Sequence, residues 1–191
     1  CTTVDDAVAV ARRAEERTAI TWVGLEYRYI PTVDVLLREL AEGRHGDTRM
    51  VSVREHRFPF LEKVGDWNRF NENTGGTLVE KCCHFFDVMR LVAGADPVRV
   101  MASGGQDVNH LDEVYDGRVP DILDNAFVVV EFANGVRGLL DLCMFAEGGR
   151  FEQELTVVGS TGKYETTVPG DVVWWGPRDG SGPFEVPAPM R

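Results

Sequence analysis

No apolar run in this 191-residue sequence approaches the roughly 20 residues that carry a helix across a bilayer, which excludes a helical membrane span. Cations are scarce: 20 Lys and Arg stand against 31 Asp and Glu, for a net charge of −11. Such a field repels nucleic acid and anionic lipid, and so argues against either as a partner. Cysteine is sparse as well. Cys1, Cys82, Cys83 and Cys143 sit in apolar contexts without a framework spacing, which excludes a disulfide scaffold and suits reduced thiols in a cytoplasmic protein. No Gly-x-Gly-x-x-Gly turn follows a strand, so no stretch of the chain is built to cradle a dinucleotide pyrophosphate. What remains, 43% hydrophobic and 27% charged, is the composition of an ordinary globular fold. The length suffices for one well-buried domain, or one domain plus part of another.

What is present is concentrated in residues 75–87, Gly-Gly-Thr-Leu-Val-Glu-Lys-Cys-Cys-His-Phe-Phe-Asp. Two glycines open an apolar helical run that carries Glu80, Lys81, His84 and Asp87. Residues three or four apart share a helix face, so the other three are neighbours of His84. An acid, a base and an imidazole along one stripe point to a polar cleft beside the helix. Zinc held by Cys82, Cys83 and His84 is set aside. Consecutive helical residues point about 100° apart, and structural zinc takes ligands spaced two to four apart.

The order of elements predicts an α+β fold. An amphipathic helix over 2–17 opens on a capping threonine and two aspartates, and a β-rich run follows over 18–25. A second helix begins after Pro31 and stops at Gly43, with Val33, Leu36, Leu37 and Leu40 as its stripe. A strand is expected over 49–58, and then a loop over 60–74 with Trp67, Arg69, Asn71 and Asn73. The charged helix runs over 76–92, ended by Gly94 and Pro97. After it come a strand over 98–106, an exposed acidic stretch over 108–121, and β pairs over 125–132 with 136–145 and 152–158 with 163–168. The first pair turns at Asn134-Gly135, a strong hairpin signal. A strand over 172–175, a loosely held tail over 177–189 and a short edge strand near 184–186 complete the chain. This is a mostly antiparallel sheet with helices on one face. In the hairpin, Gly138, Leu140, Leu142 and Met144 share one face and Leu139, Cys143 and Phe145 the other. Helices cover one face, and the other is expected to meet a second subunit.

With that layout, the chain resembles the C-terminal part of the glucose–fructose oxidoreductase, inositol dehydrogenase and rhizopine-catabolism (Gfo/Idh/MocA) family. Glu26-Tyr27-Arg28-Tyr29-Ile30-Pro31 resembles the end of its last Rossmann strand, and Leu40 to Gly46 its leucine followed by Gly-x-x-Gly. Trp67, then Gly75-Gly76, then His84-Phe85-Phe86-Asp87 is similar to its Trp…Gly-Gly-Gly…Asp-x-Gly-x-His-x-x-Asp signature. Asp124-Asn125-Ala126 with Phe132-Ala133-Asn134-Gly135 resembles its hairpin, and Val158 to Gly162 its late glycine turn. The likeness spans nearly the whole chain. Three positions depart: Glu80 stands for the family's aspartate, Cys82 for its glycine, and Lys81 places a cation where the family is usually apolar.

The resemblance implies a two-domain nicotinamide-dependent oxidoreductase. Residues 1–30 would be the last helix and strand of the dinucleotide-binding domain, and 31–191 the substrate-binding and oligomerisation domain of a homodimer or homotetramer. NAD or NADP would be bound mainly by the N-terminal domain, and the substrate would be a sugar, inositol or related polyol. His84 is the candidate base that takes the hydroxyl proton as hydride leaves the carbon, with Glu80 orienting it. The bland alternative is a core histidine bonded to a backbone carbonyl. Lys81 either shares the proton transfer or forms a salt bridge with Glu80 or Asp87. Arg28, Tyr29, Trp67, Arg69 and Asn71 are candidate sugar contacts, since planar donors and aromatic faces suit polyols. Asp87 belongs with them as a group that orients rather than reacts. The competing class is a non-catalytic sheet domain that dimerises or binds carbohydrate.

Overall fold

The computed structural model describes residues 1–189. Its organising strand is β1 (Thr48–His56), which turns Val51, Val53 and Glu55 inward and Met50, Ser52, Arg54 and His56 outward. Around it lie β2 (Pro97–Gly105), β3 (Asn125–Phe132), β4 (Arg137–Cys143), β5 (Gln153–Gly159), β6 (Gly162–Val168), β7 (Val172–Pro177) and β8 (Phe184–Pro187). The eight strands form one sheet in the order β2-β3-β4-β1-β5-β6-β7-β8. Only the β1–β4 pairing is parallel; the other ladders are antiparallel. β3 and β4 form the expected hairpin, turned at Asn134-Gly135 with Gly135 at φ +84°.

The helices are α1 (Val4–Glu15), α2 (Pro31–Ala41), α3 (Asn71–Thr74), α4 (Thr77–Glu80) and α5 (Cys83–Ala93). α2 has Pro31 at its first turn, where the missing N–H costs no bond. It lays Val33 and Leu36 on β6 and β7, while α5 lays Phe85, Val88 and Met89 on β1 and β4. Leu140, Leu142, Leu155, Val157, Tyr164 and Val173 complete the core beneath them. Among the described residues, no helix lies over the outer face. It mixes Met50, Phe127, Leu139 and Trp174 with the ion pairs Arg54–Glu154, His56–Asp141, Arg99–Glu131 and Lys163–Glu165. It is thus less apolar than the residue pattern of the hairpin alone implies.

Several elements differ from expectation. The run over 18–25 forms no strand, and Ile20 is 97% exposed. A strand needs a neighbour to take its backbone hydrogen bonds, and none is present beside it among the described residues. The helix expected over 76–92 is broken between α4 and α5, because the Thr77 carbonyl accepts from both Lys81 N (3.0 Å) and Cys82 N (3.3 Å). That wide turn shifts the helical phase at Lys81. The loop over 60–74 contains a 3-10 segment, Val64–Arg69, with Gly65 and Asp66 left-handed, and then α3. The acidic stretch over 108–121 is irregular and mostly exposed, as expected; its start is anchored, since the Asp124 carboxylate accepts from the backbone N–H of Asp107, Val108 and Asn109. The tail is also better held than its composition suggests, since Ala188 is buried and its N–H bonds Asp171 O at 2.7 Å.

Candidate functional site

The charged stripe does not act as one network; each member turns to a different element. Asp87 on α5 takes both ends of the Arg28 guanidinium, Nε at 3.0 Å from Oδ2 and Nη2 on Oδ1. This fork ties the 3-10 turn Glu26–Tyr29 to α5. Tyr27 strengthens the same junction. Its ring meets Phe85 edge-on at 5.2 Å, and its hydroxyl donates to Gln153 Oε1 at 2.9 Å. Burial, then the charges of Glu55 and Glu152, push the Tyr27 phenol well above its ordinary range, so it is a fixed neutral donor.

The turn brings Glu26 to His84. Glu26 Oε2 lies 3.5 Å from His84 Nδ1, within ion-pair reach but too long for a good hydrogen bond. Nδ1 is buried and has no hydrogen-bond partner among the described residues. The bland alternative of a histidine tied to a backbone carbonyl through Nδ1 is therefore not what is seen. No hydrogen bond or ion pair joins Glu80 to His84 among the described residues. Glu80 Oε2 is itself buried and unpartnered. Burial raises the Glu80 carboxyl above its ordinary value, against the opposing charges of Lys63 and Arg69.

Lys81 turns to neither Glu80 nor Asp87. Its Nζ lies 3.0 Å from Oε1 of Glu55, which is 0% exposed on the inward face of β1. Arg57 Nη1 approaches the same oxygen at 3.3 Å. The ammonium thus neutralises a buried strand carboxylate. Cys82 is buried in the core, and burial followed by the Glu55 charge pushes its thiol up. Burial also raises Cys83. Neither is an activated thiol.

The remaining candidates separate. Tyr29 and Trp67 are exposed, Trp67 through a loop that Asn73 fastens by donating to the Trp67 carbonyl at 2.9 Å. Arg69 is buried and its Nε bonds Glu113 Oε2 at 2.9 Å. Asn71 Nδ2 donates to the Asp121 carbonyl at 2.6 Å, and its backbone N–H to Asp121 Oδ1 at 2.7 Å. Arg69 and Asn71 therefore have structural partners before any ligand arrives. Three residues of this region carried no functional weight in the sequence: Glu26, Glu55 and Glu113. Glu55 was within reach of the pattern, since it continues the inward alternation of Val51 and Val53. Glu113 had no local signal.

A groove of about 720 Å³ runs along the other flank of α5, walled by Leu78, Val79, Phe86, Val100 and Val128. Its apolar lining does not suit a polyol. The described residues form no pyrophosphate cradle: a Cβ at Gly159 would lie 2.0 Å from His45 O, and one at Gly162 2.3 Å from the Trp175 ring. Those glycines serve packing. No three His, Cys, Asp or Glu side chains among the described residues gather to hold a metal ion.

The family described as "Oxidoreductase family, C-terminal alpha/beta domain", of the Gfo/Idh/MocA group, matches residues 38–188. The chain belongs to that family. No curated protein sequence matches it. Among solved structures, an oxidoreductase domain protein from Kribbella flavida superposes with a TM-score of 0.83 at 18% identity, covering 100% of this chain and 53% of that one. Levoglucosan dehydrogenase in complex with NADH gives 0.83 at 17% identity, covering 98% and 52%. The aldose-aldose oxidoreductase from Caulobacter crescentus, complexed with glycerol, gives 0.78 at 20% identity, covering 100% and 55%. At such identities the likeness speaks for the Gfo/Idh/MocA fold. The chain spans about half the length of these structures. Among its described residues, no helix is long and apolar enough to cross a membrane.

Proposed function

We propose that this chain is the substrate-side part of a nicotinamide-dependent oxidoreductase that moves hydride to or from a secondary alcohol carbon of a sugar, inositol or related polyol. The observation that carries the reading is His84 at the start of α5, with Nδ1 turned toward Glu26 and a buried, unpartnered Glu80 oxygen one turn before it. An imidazole whose Nδ1 faces a carboxylate keeps its proton there and presents Nε2 as the base. In the oxidising direction Nε2 takes the hydroxyl proton, and Glu26 stabilises the imidazolium that forms. When bound, the nicotinamide would supply the hydride acceptor. The described residues do not fit its pyrophosphate, so NAD or NADP would be held mainly by another part of the protein. On this reading residues 1–30 close that dinucleotide-binding domain and 31–191 form the substrate domain.

Tyr29, Trp67 and Asn71 are the substrate-facing candidates; the predicted contact Arg69, buried and paired with Glu113, is assigned to holding the loop beside them, and Arg28 and Asp87 to the clamp that holds α5. Lys81 is assigned to the ion pair with Glu55 rather than to proton transfer. We further assign the uncovered sheet face to a homodimer or homotetramer contact, supported by Met50, Phe127, Leu139 and Trp174 on its surface. The four free thiols suit a cytoplasmic setting. The test is turnover of a panel of sugars, cyclitols and sugar acids by the full-length protein with NAD and NADP. Reduction of either cofactor by a polyol supports the proposal. No turnover across the panel, with binding of a carbohydrate retained, would favour the non-catalytic sheet domain instead.

A further inference from the structure

The stretch between β2 and β3 is a strap that grips the segment leading into α4 residue by residue. Glu113 Oε2 accepts from Arg69 Nε at 2.9 Å and from Tyr115 Oη at 2.8 Å, and its Oε1 lies 2.7 Å from His110 Nδ1. The Asp121 N–H donates to the Arg69 carbonyl at 3.1 Å. Asn71 gives its backbone N–H to Asp121 Oδ1 at 2.7 Å and its side-chain amide to the Asp121 carbonyl at 2.6 Å. The Arg118 guanidinium lies 4.1 Å over the Phe70 ring and bonds Glu72 Oε1 at 2.6 Å, and the Tyr115 ring meets Phe70 edge-on at 6.2 Å. Arg69, Phe70, Asn71 and Glu72 are thus all held by one strap. The strap is itself fastened at both ends, by Asp124 at 107–109 and by the Asn109 amide on the Met144 carbonyl at 2.7 Å.

The gripped segment carries Trp67. Its carbonyl accepts from Asn73 at 2.9 Å, and its neighbour Asn68 is fully buried and closes the turn onto the Leu61 carbonyl at 3.1 Å. Arg69 leaves only 3% of its side chain exposed. A guanidinium that deep must be paired; besides Glu113 it has a long contact to Asn68 Oδ1 at 3.4 Å. The Trp67 ring, by contrast, is 42% exposed. An open aromatic ring on so fixed a backbone is preorganised for a contact outside the core.

We propose that this strap is the positioning element of the substrate-binding loop, with Glu113 and Asp121 as the positioning residues that set where the Trp67 ring stands. The inference rests on the reading of Trp67 as a substrate contact, and it adds a division of labour. Among the described residues the strap makes no hydrogen bond or ion pair to α5; it reaches α4 only through the Leu123 carbonyl, which accepts from Thr77 Oγ1. A change in the Glu113 side chain therefore alters how substrate is held, not the proton transfer at His84.

The test uses the full-length protein labelled with 5-fluorotryptophan, the Trp67 fluorine resonance being assigned by Trp67→Phe, together with the kinetics of the best polyol in the panel. Glu113→Ala removes the carboxylate partner of Arg69. It is expected to move the Trp67 resonance and to leave those of Trp174 and Trp175, on β7, in place. KM is expected to rise about three- to tenfold, the size of one lost aromatic contact, with kcat within about twofold, the pattern of lost binding shared by ground and transition states. Glu113→Gln keeps an acceptor for Arg69 and is expected to restore both readings. An unmoved Trp67 resonance in Glu113→Ala overturns the inference, and so does a moved resonance with unchanged KM. A fall in kcat as large as that in kcat/KM overturns the division between strap and α5. If Glu113→Ala fails to fold, an unmoved Trp67 resonance in Asp121→Ala overturns the inference equally. A wild-type protein that turns over no polyol sinks the proposed activity instead, and the fluorine resonance still decides whether the strap positions Trp67.

Discussion

Replacing Lys81 by methionine separates the two roles open to this residue. Its Nζ lies 3.0 Å from Glu55 Oε1, and Glu55 is 0% exposed, with Oε2 buried and unpartnered. Removing one partner of a buried pair strands the other charge, at a cost of about 3–5 kcal/mol. Arg57 remains at 3.3 Å and Lys81 itself is partly exposed, so the lower end, about 3 kcal/mol, applies. With a urea dependence of about 2 kcal/mol/M, the unfolding midpoint should fall by about 1.5 M with no change in slope. Circular dichroism in urea is the assay. The double variant Lys81→Met with Glu55→Leu should recover most of the loss, since removing both charges together is often neutral or stabilising. In the full-length protein, any turnover found under the proposed function should stay, per folded molecule, within about tenfold of wild type, or about 1.4 kcal/mol of barrier. A near-neutral urea midpoint together with a hundredfold loss of turnover would refute the reasoning and return Lys81 to the proton-transfer step.

Two further outcomes follow from other parts of the fold. The Asp124 carboxyl is raised by burial but lowered further by the backbone N–H bonds of Asn109, Val108 and Asp107. A depressed folded value contributes stability that is present above the ordinary carboxyl range, about pH 4, and is lost as pH falls through the folded value. Hydrogen exchange should therefore show amides 107–109 losing protection in acid, and Asp124→Ala, which removes the acceptor, should show the same loss at neutral pH; equal protection in that variant would contradict the anchor. If the outer sheet face is the proposed subunit contact, Leu139→Asp should lower the mass of the full-length protein by light scattering without unfolding it. An unchanged mass would contradict that assignment.

Much of the sheet was legible because alternation on half-buried strands is a local signal. The Asn134-Gly135 hairpin, the inward set Leu140 and Leu142, the start of α2 at Pro31 and its stop before Gly43 all read directly from residue order. The break between α4 and α5 did not, since no proline or glycine marks Lys81-Cys82 and the cause is a second donor on the Thr77 carbonyl. That break also undid the single charged stripe, because helical spacing fixes neighbours only while the helix is continuous. The partners of the site residues were out of reach for a related reason. Glu26, Glu55 and Glu113 lie far from His84, Lys81 and Arg69 in sequence or on other elements, and charge pairing across a fold leaves no periodic trace. The run over 18–25 was misread in the opposite sense: its β-rich composition is real, but a strand exists only where a neighbouring strand accepts its hydrogen bonds.

Turnover of the full-length His84→Ala variant asks whether His84 is the acid–base group. A fall of roughly 10²–10⁴-fold is expected, the range for losing a positioned proton-transfer group, with cofactor affinity little changed because the described residues form no dinucleotide cradle. Turnover near that of the wild-type protein would contradict it, and would make the arrangement around α5 structural or merely substrate-binding.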